Sequence, residues 1–129
     1  LAQAGVPLEQ VVRKTKRSQA RLIGAPVLVV SCLAMEEMDP CSDPRQQALE
    51  IKMGEQSVAA AMMNFLLAAE AEGLAACWMC APLFCPEVVV EVLNLPISWQ
   101  PQAFITLGYA AKPPKSKTLA PLETRIVYR

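Results

Sequence analysis

The chain contains no histidine. That absence excludes Ser-His-Asp and Cys-His nucleophilic sites built within it, and every metal site that needs an imidazole. Glycine is scarce, with five residues in 129, so scattered that neither GxGxxG nor GxxxxGK forms. No phosphate-cradling loop of either kind is therefore available. Charge of one sign is not in excess either: twelve Lys and Arg stand against twelve Asp and Glu. Nothing in that balance points to nucleic acid or to a membrane headgroup surface. No apolar run reaches the ~18–20 residues of a membrane-spanning helix. The first residues also lack the charged-then-apolar order of a signal peptide. The chain starts at Leu1 without an initiator methionine, which suggests a processed product or a fragment. Cysteine is present in an odd number: Cys32, Cys41, Cys77, Cys80 and Cys85. Without secretory features, five thiols fit a reducing cytosol better than a disulfide framework, and a cytoplasmic location is expected.

The composition that remains, 53% hydrophobic and 19% charged, belongs to a folded chain with a real core. Its length favours a single domain over residues 1–129. Pro7 and Gly24 bracket a helix over Leu8–Ile23, whose Arg13, Lys14, Lys16, Arg17 and Arg21 face only Glu9. With no interleaved aromatics this is a solvated surface helix, and no nucleic-acid partner is expected. Pro26–Ala34 is nearly continuous in apolar and β-branched residues, the pattern of a strand buried on both faces. Residues 36–44 form a loop with two prolines, and a long helix runs from about Arg45 or Gln46 to Glu72. Its stripe Ala48, Ile51, Val58, Met62, Phe65, Ala69 has three- and four-residue steps. Val58–Ala69 is apolar on every side except at Asn64, which reads as a hydrogen-bonded polar residue inside a packed helix. A helix apolar all round needs cover all round; in so short a chain a second subunit is the natural cover, with a missing part of the same polypeptide as the runner-up.

Gly73 tolerates the positive φ that ends such a helix. Leu74–Cys80 reads as a strand, Ala81–Cys85 as a loop, and Pro86–Leu95 as a helix with proline at its first position. Leu95–Pro101 is a two-proline loop, Ala103–Tyr109 a third strand, and residues 110–129 an extended tail. A strand end followed by a small residue and a proline presents bare amides, so chemistry is expected near residues 79–82. Helix-separated strands suggest a layered α/β arrangement. The lone Cys77-x-x-Cys80 is a weak motif, and residues three apart in a strand face opposite ways. The three cysteines there are expected to pack as small hydrophobes and to bind no metal. Glu36-Glu37 and Glu70-x-Glu72 read as solvated charge, and no side chain is assigned a catalytic role. Lys115 and Lys117 form the one compact basic pair in a loop, able to hold a phosphate as point charges or to lie in a solvated tail.

APVLVV at 25–30, Gln56–Ala69, G-L-x-A-C-W at 73–78, Leu95-Pro96 and A-x-x-x-L-G-Y at 103–109 occur in the order found in the nitroreductase family of FMN flavoproteins. The chain resembles that family from about residue 10 onward. Trp78–Pro86 is similar, more narrowly, to the nitroreductase-like module attached to the γ-glutamyl ligase of deazaflavin coenzyme synthesis. The resemblance implies an α+β fold that forms a homodimer through its central helices, with FMN in the interface. It implies peptide contacts from Met79, Cys80 and Ala81 near flavin N5 and O4, although many relatives carry glycine where Ala81 stands. Lys115 and Lys117 match the basic residues of the family's P-K-S-R tail, which meet the FMN phosphate. The family's R-R-S-x-R motif and its asparagine-bearing segment have no counterpart here, so the chain corresponds to the C-terminal part of the domain and holds half of an FMN site. The implied activity is hydride transfer from NAD(P)H through flavin N5 to a small nitro- or quinone-like acceptor. The alternative is a non-catalytic binding module that kept the fold and lost turnover.

Overall fold

A computed structural model describes residues 5–113, 116 and 118–127. Helix α1 spans Leu8–Ile23, strand β1 Val27–Ala34, helix α2 Pro44–Ala71, strand β2 Ala75–Met79, helix α3 Pro86–Leu93 and strand β3 Trp99–Gly108. Short 3-10 turns lie at Met35–Glu37, Ala81–Phe84 and Leu122–Thr124. The sheet order is β1-β3-β2, and both outer strands run antiparallel to β3. The fold is thus α+β, and the layered α/β expectation from element order alone is corrected. Helices separate the strands in sequence, but the last strand inserts between the first two.

That insertion also corrects the reading of β1 as buried on both faces. β1 is an edge strand whose Val27 and Leu28 are exposed, because α2 covers one face of the sheet only. The core forms on that face. Ile105, 1% exposed, is paired with Val29 on one side and Trp78 on the other. Val58, Met62, Phe65 and Leu66 of α2 pack over it. Of the expected inward stripe, Ile51, Val58, Met62, Phe65 and Ala69 are buried or half-buried, whereas Ala48 is exposed. Asn64 is exposed as well, not held inside a packed helix.

The start of β3 differs from expectation for an instructive reason. The two-proline pattern of Leu95–Pro101 puts Pro101 in a loop, and a proline cannot donate to a strand ladder. It lies inside β3, fully buried, opposite Cys32 where the β1–β3 register shifts between Ser31 and Cys32. A bulge absorbs the missing donor. Just before it, the Trp99 indole N–H donates to Glu36 Oε1 at 3.0 Å, tying the start of β3 to the turn after β1. Hydrogen bonding, first from Ser98 and also from Trp99, holds the Glu36 carboxyl below its ordinary value.

Helix α2 begins at Pro44, one residue earlier than expected, because Asp43 caps it: its side chain accepts from the Arg45 amide at 2.9 Å. It ends in a Schellman arrangement. Gly73 N–H donates to Glu70 O and Leu74 N–H to Ala69 O, with Gly73 at φ 72°. An added Cβ at Gly73 would meet nothing within 4 Å, so the cost of a side chain there is purely conformational. Gly73→Ala is expected to lose about 1 kcal/mol of stability by urea denaturation, and Gly73→Asn distinctly less. Equal losses for both substitutions would contradict this account.

Candidate functional site

Strand β2 stops at Met79, where pairing with Phe104 ends. Cys80 leaves the extended region at φ −84°, ψ 23° and opens the 3-10 turn Ala81–Phe84. Pro82 within that turn is fully buried and anchors it against β3, while Cys80 and Ala81 remain exposed. Among the described residues the amides of Cys80 and Ala81 donate to no backbone acceptor, whereas Leu83 N–H and Cys85 N–H close the turn on Cys80 O and Pro82 O. The result is a pair of free donors on a rigid, exposed corner.

The turn at Cys80 also alters the cysteine reading. Strand alternation does not reach Cys80, so the argument that it faces away from Cys77 does not apply. Cys77, Cys80 and Cys85 are all exposed free thiols, not packed hydrophobes. They lie on the uncovered side and rim of a small sheet, where little remains to bury them. Among the described residues no group of three or more Cys, Asp or Glu side chains stands close enough to share a metal ion. Lys115 and Lys117, the expected phosphate contacts, lie outside the described residues.

Two further features stand out. A cavity of about 620 Å³ opens beside the 3-10 turn, between α3 and the start of β3. Glu55, Glu87 and Glu91 line it, together with Leu83, Ile97 and Trp99. Three carboxylates make it a poor seat for a phosphate group. The second is the outer stripe of α2: Leu49, Met53, Ala60, Met63 and Leu67 fall at helical spacing and all are exposed, Met63 at 49% and Leu67 at 58%. The sequence pattern gives the stripe that the sheet takes, Ile51 to Ala69, but does not single out this outer one. Trp78 Nε1 is the one sealed side-chain polar atom without a partner among the described residues.

A long helix laid across one face of an antiparallel sheet, with a free-amide corner at the end of an edge strand, defines an α+β protein of the nitroreductase-like type. The chain belongs to the nitroreductase family, whose sequence model matches residues 1–109. Members of that family are generally NAD(P)H:FMN oxidoreductases and are commonly dimeric. Solved structures agree in fold. A nitroreductase-like protein from Bacillus cereus is 22% identical with a TM-score of 0.68, over 95% of this chain and 60% of that one. A Bacteroides thetaiotaomicron putative NADH dehydrogenase/NAD(P)H nitroreductase is 27% identical with a TM-score of 0.62, over 81% and 55%. The nitroreductase CinD from Lactococcus lactis, in complex with nicotinic acid, is 25% identical with a TM-score of 0.57, over 66% and 47%. The chain therefore spans roughly half the length of these relatives. No helix among the described residues is long and apolar enough to cross a membrane.

Proposed function

We propose that this chain contributes one side of an FMN site in an NAD(P)H-dependent oxidoreductase acting on a small nitro- or quinone-like acceptor. The observation that carries the proposal is the exposed amide pair of Cys80 and Ala81, held by buried Pro82 and without a protein acceptor among the described residues. FMN, when bound, supplies hydride acceptance and donation. The Cys80 and Ala81 amides would orient the polar edge of its ring by donating to it, and Met79 would border the same edge through its peptide. Lys115 and Lys117 would hold the phosphate as point charges. The open stripe of α2 would close on a second subunit, excluding water from the site between them. No side chain of this chain is assigned a proton-transfer step. The likeness of Trp78–Pro86 to the deazaflavin-ligase module favours relatives of that module within the family.

Titration of FMN and riboflavin into the same protein tests this reading. Lys115→Ala or Lys117→Ala is expected to weaken FMN about ten- to a hundredfold while barely changing riboflavin, since a charge-assisted hydrogen bond contributes roughly 1.5–3 kcal/mol. Cys80→Pro removes one free amide at a residue whose φ of −84° is close to proline's range. It should weaken both ligands alike, by about tenfold, with little change in folding stability. Undiminished riboflavin binding in Cys80→Pro would remove the amide corner from the site. Wild-type protein that takes up neither ligand would overturn the proposal as a whole.

A further inference from the structure

A second and smaller cavity of about 310 Å³ lies between the C-terminal end of α1 and strands β2 and β3. Its volume is at the low end for small-ligand pockets. It is hollow because its walls are small, with Ala20 and Gly24 from the helix end and Ala75 from β2. Four functional side chains line it: Arg21 in the last turn of α1, Cys77 in β2, Thr106 in β3 and, at its rim just past β3, the exposed Tyr109. Cys77 and Thr106 are direct cross-strand partners, and Leu28 of β1 continues the row. Neighbours in such a row share a face, and it is the face opposite Ile105 and Trp78.

Thr106 is the one buried polar residue of the described chain, 9% exposed. Its hydroxyl has no hydrogen bond among the described contacts, yet it is not among the sealed unpaired atoms, of which Trp78 Nε1 is the only one. A hydroxyl that is neither paired nor sealed must open somewhere, and the cavity is where Thr106 meets free space. Cys77 is likewise open: its thiol is exposed and free, and its one described contact is a weak one to Trp78 O at 4.0 Å. A thiol, a free hydroxyl and a guanidinium around a small hollow make a site for a compact ligand that carries both a sulfur and a carboxylate.

We propose that Cys77 is a site of S-thiolation by low-molecular-weight disulfides bearing a carboxylate, with Arg21 receiving the carboxylate and Thr106 a neighbouring polar group. The Cys77 sulfur, as thiolate, attacks one sulfur of the small disulfide. A mixed disulfide forms, the small disulfide's own S–S bond breaks, and the departing thiolate takes up a proton equivalent to the one Cys77 released. The small disulfide is the oxidant, and no other reactant is required. The site is independent of the flavin reading, since it lies on the face of β2 that carries Cys77 and uses neither the Cys80 nor the Ala81 amide.

The chain carries its own controls, because Cys80 and Cys85 are also exposed free thiols. The full chain is exposed to glutathione disulfide, quenched at intervals with acid, and the adduct at each cysteine is quantified by peptide mass spectrometry. Cys77 is expected to be modified about tenfold faster than Cys80 or Cys85, the ratio set by one charge-assisted contact. With bis(2-hydroxyethyl) disulfide, which has no carboxylate, that advantage should vanish. Arg21→Gln, at an exposed position where folding is not at stake, should abolish the advantage toward glutathione disulfide and leave the neutral probe unchanged. Cys77 reacting no faster than its two neighbours overturns the proposal. So does an advantage that survives both the neutral probe and Arg21→Gln, because reactivity would then owe nothing to the pocket.

Discussion

Met63→Glu and Leu67→Glu are each expected to turn an associated protein into a monomer, and to release flavin with the lost interface. Both residues stand on the stripe of α2 that faces away from the sheet, and both are about half exposed in the isolated chain. A stripe of five apolar side chains along a helix is more than a soluble surface ordinarily leaves open. A carboxylate at its centre must be desolvated for the contact to form. Central interface residues commonly contribute about 2 kcal/mol or more, so association should weaken about thirtyfold at least. Sedimentation velocity over a concentration series reads this directly. Met62→Glu is the informative contrast: one position away it lies in the core, 6% exposed, and should unfold the chain rather than dissociate it. A wild-type protein that sediments as a monomer at all concentrations would remove the interface from the proposal.

Ile105→Ala is expected to cost about 2–5 kcal/mol, which for so small a sheet is most of the margin between folded and unfolded. Ile105 is in the central strand, is flanked in register by Val29 and Trp78, and has α2 above it. Ile105→Val, which removes one methylene, should cost about 0.5–1.5 kcal/mol. Urea titrations of the two variants give the ratio. A loss well below 1 kcal/mol in the alanine variant would mean that the core is centred elsewhere.

Local chemistry made several boundaries readable in the sequence. Helix α1 begins after Pro7 and ends before Gly24, as its flanking residues require. Gly73 adopts the positive φ, and Pro86 takes the first position of α3. These are decisions made within a few residues. What was not readable depends on partners distant in the chain. Val27–Ala34 is apolar enough for a central strand, and only the insertion of β3 makes it an edge. Pro101 looks like a strand breaker until Cys32 lies opposite it at a register shift. The free amides of Cys80 and Ala81 were legible as a small residue before a proline, but the 3-10 turn that presents them was not. The Cys77–Thr106 cavity left no sequence signal at all. Its members come from α1, β2 and β3, elements far apart in the chain that meet only in the fold.

The strand order has a consequence for how the protein is made. β1 and β2 do not touch in the sheet; each pairs only with β3, the last of these three strands to leave the ribosome. Until Trp99–Gly108 has been synthesised, two apolar strands and a long sticky helix wait with their ladders unfilled. No native sheet contact can form early, and Val27 must hold out for Leu107. Such long-range closure is slow, and it leaves β1, α2 and β2 exposed to aggregation until β3 emerges. Stop codons anywhere before β3 would yield not a smaller version of this sheet but an unfinished one, so any holdase that shields these elements has to act before β3 arrives.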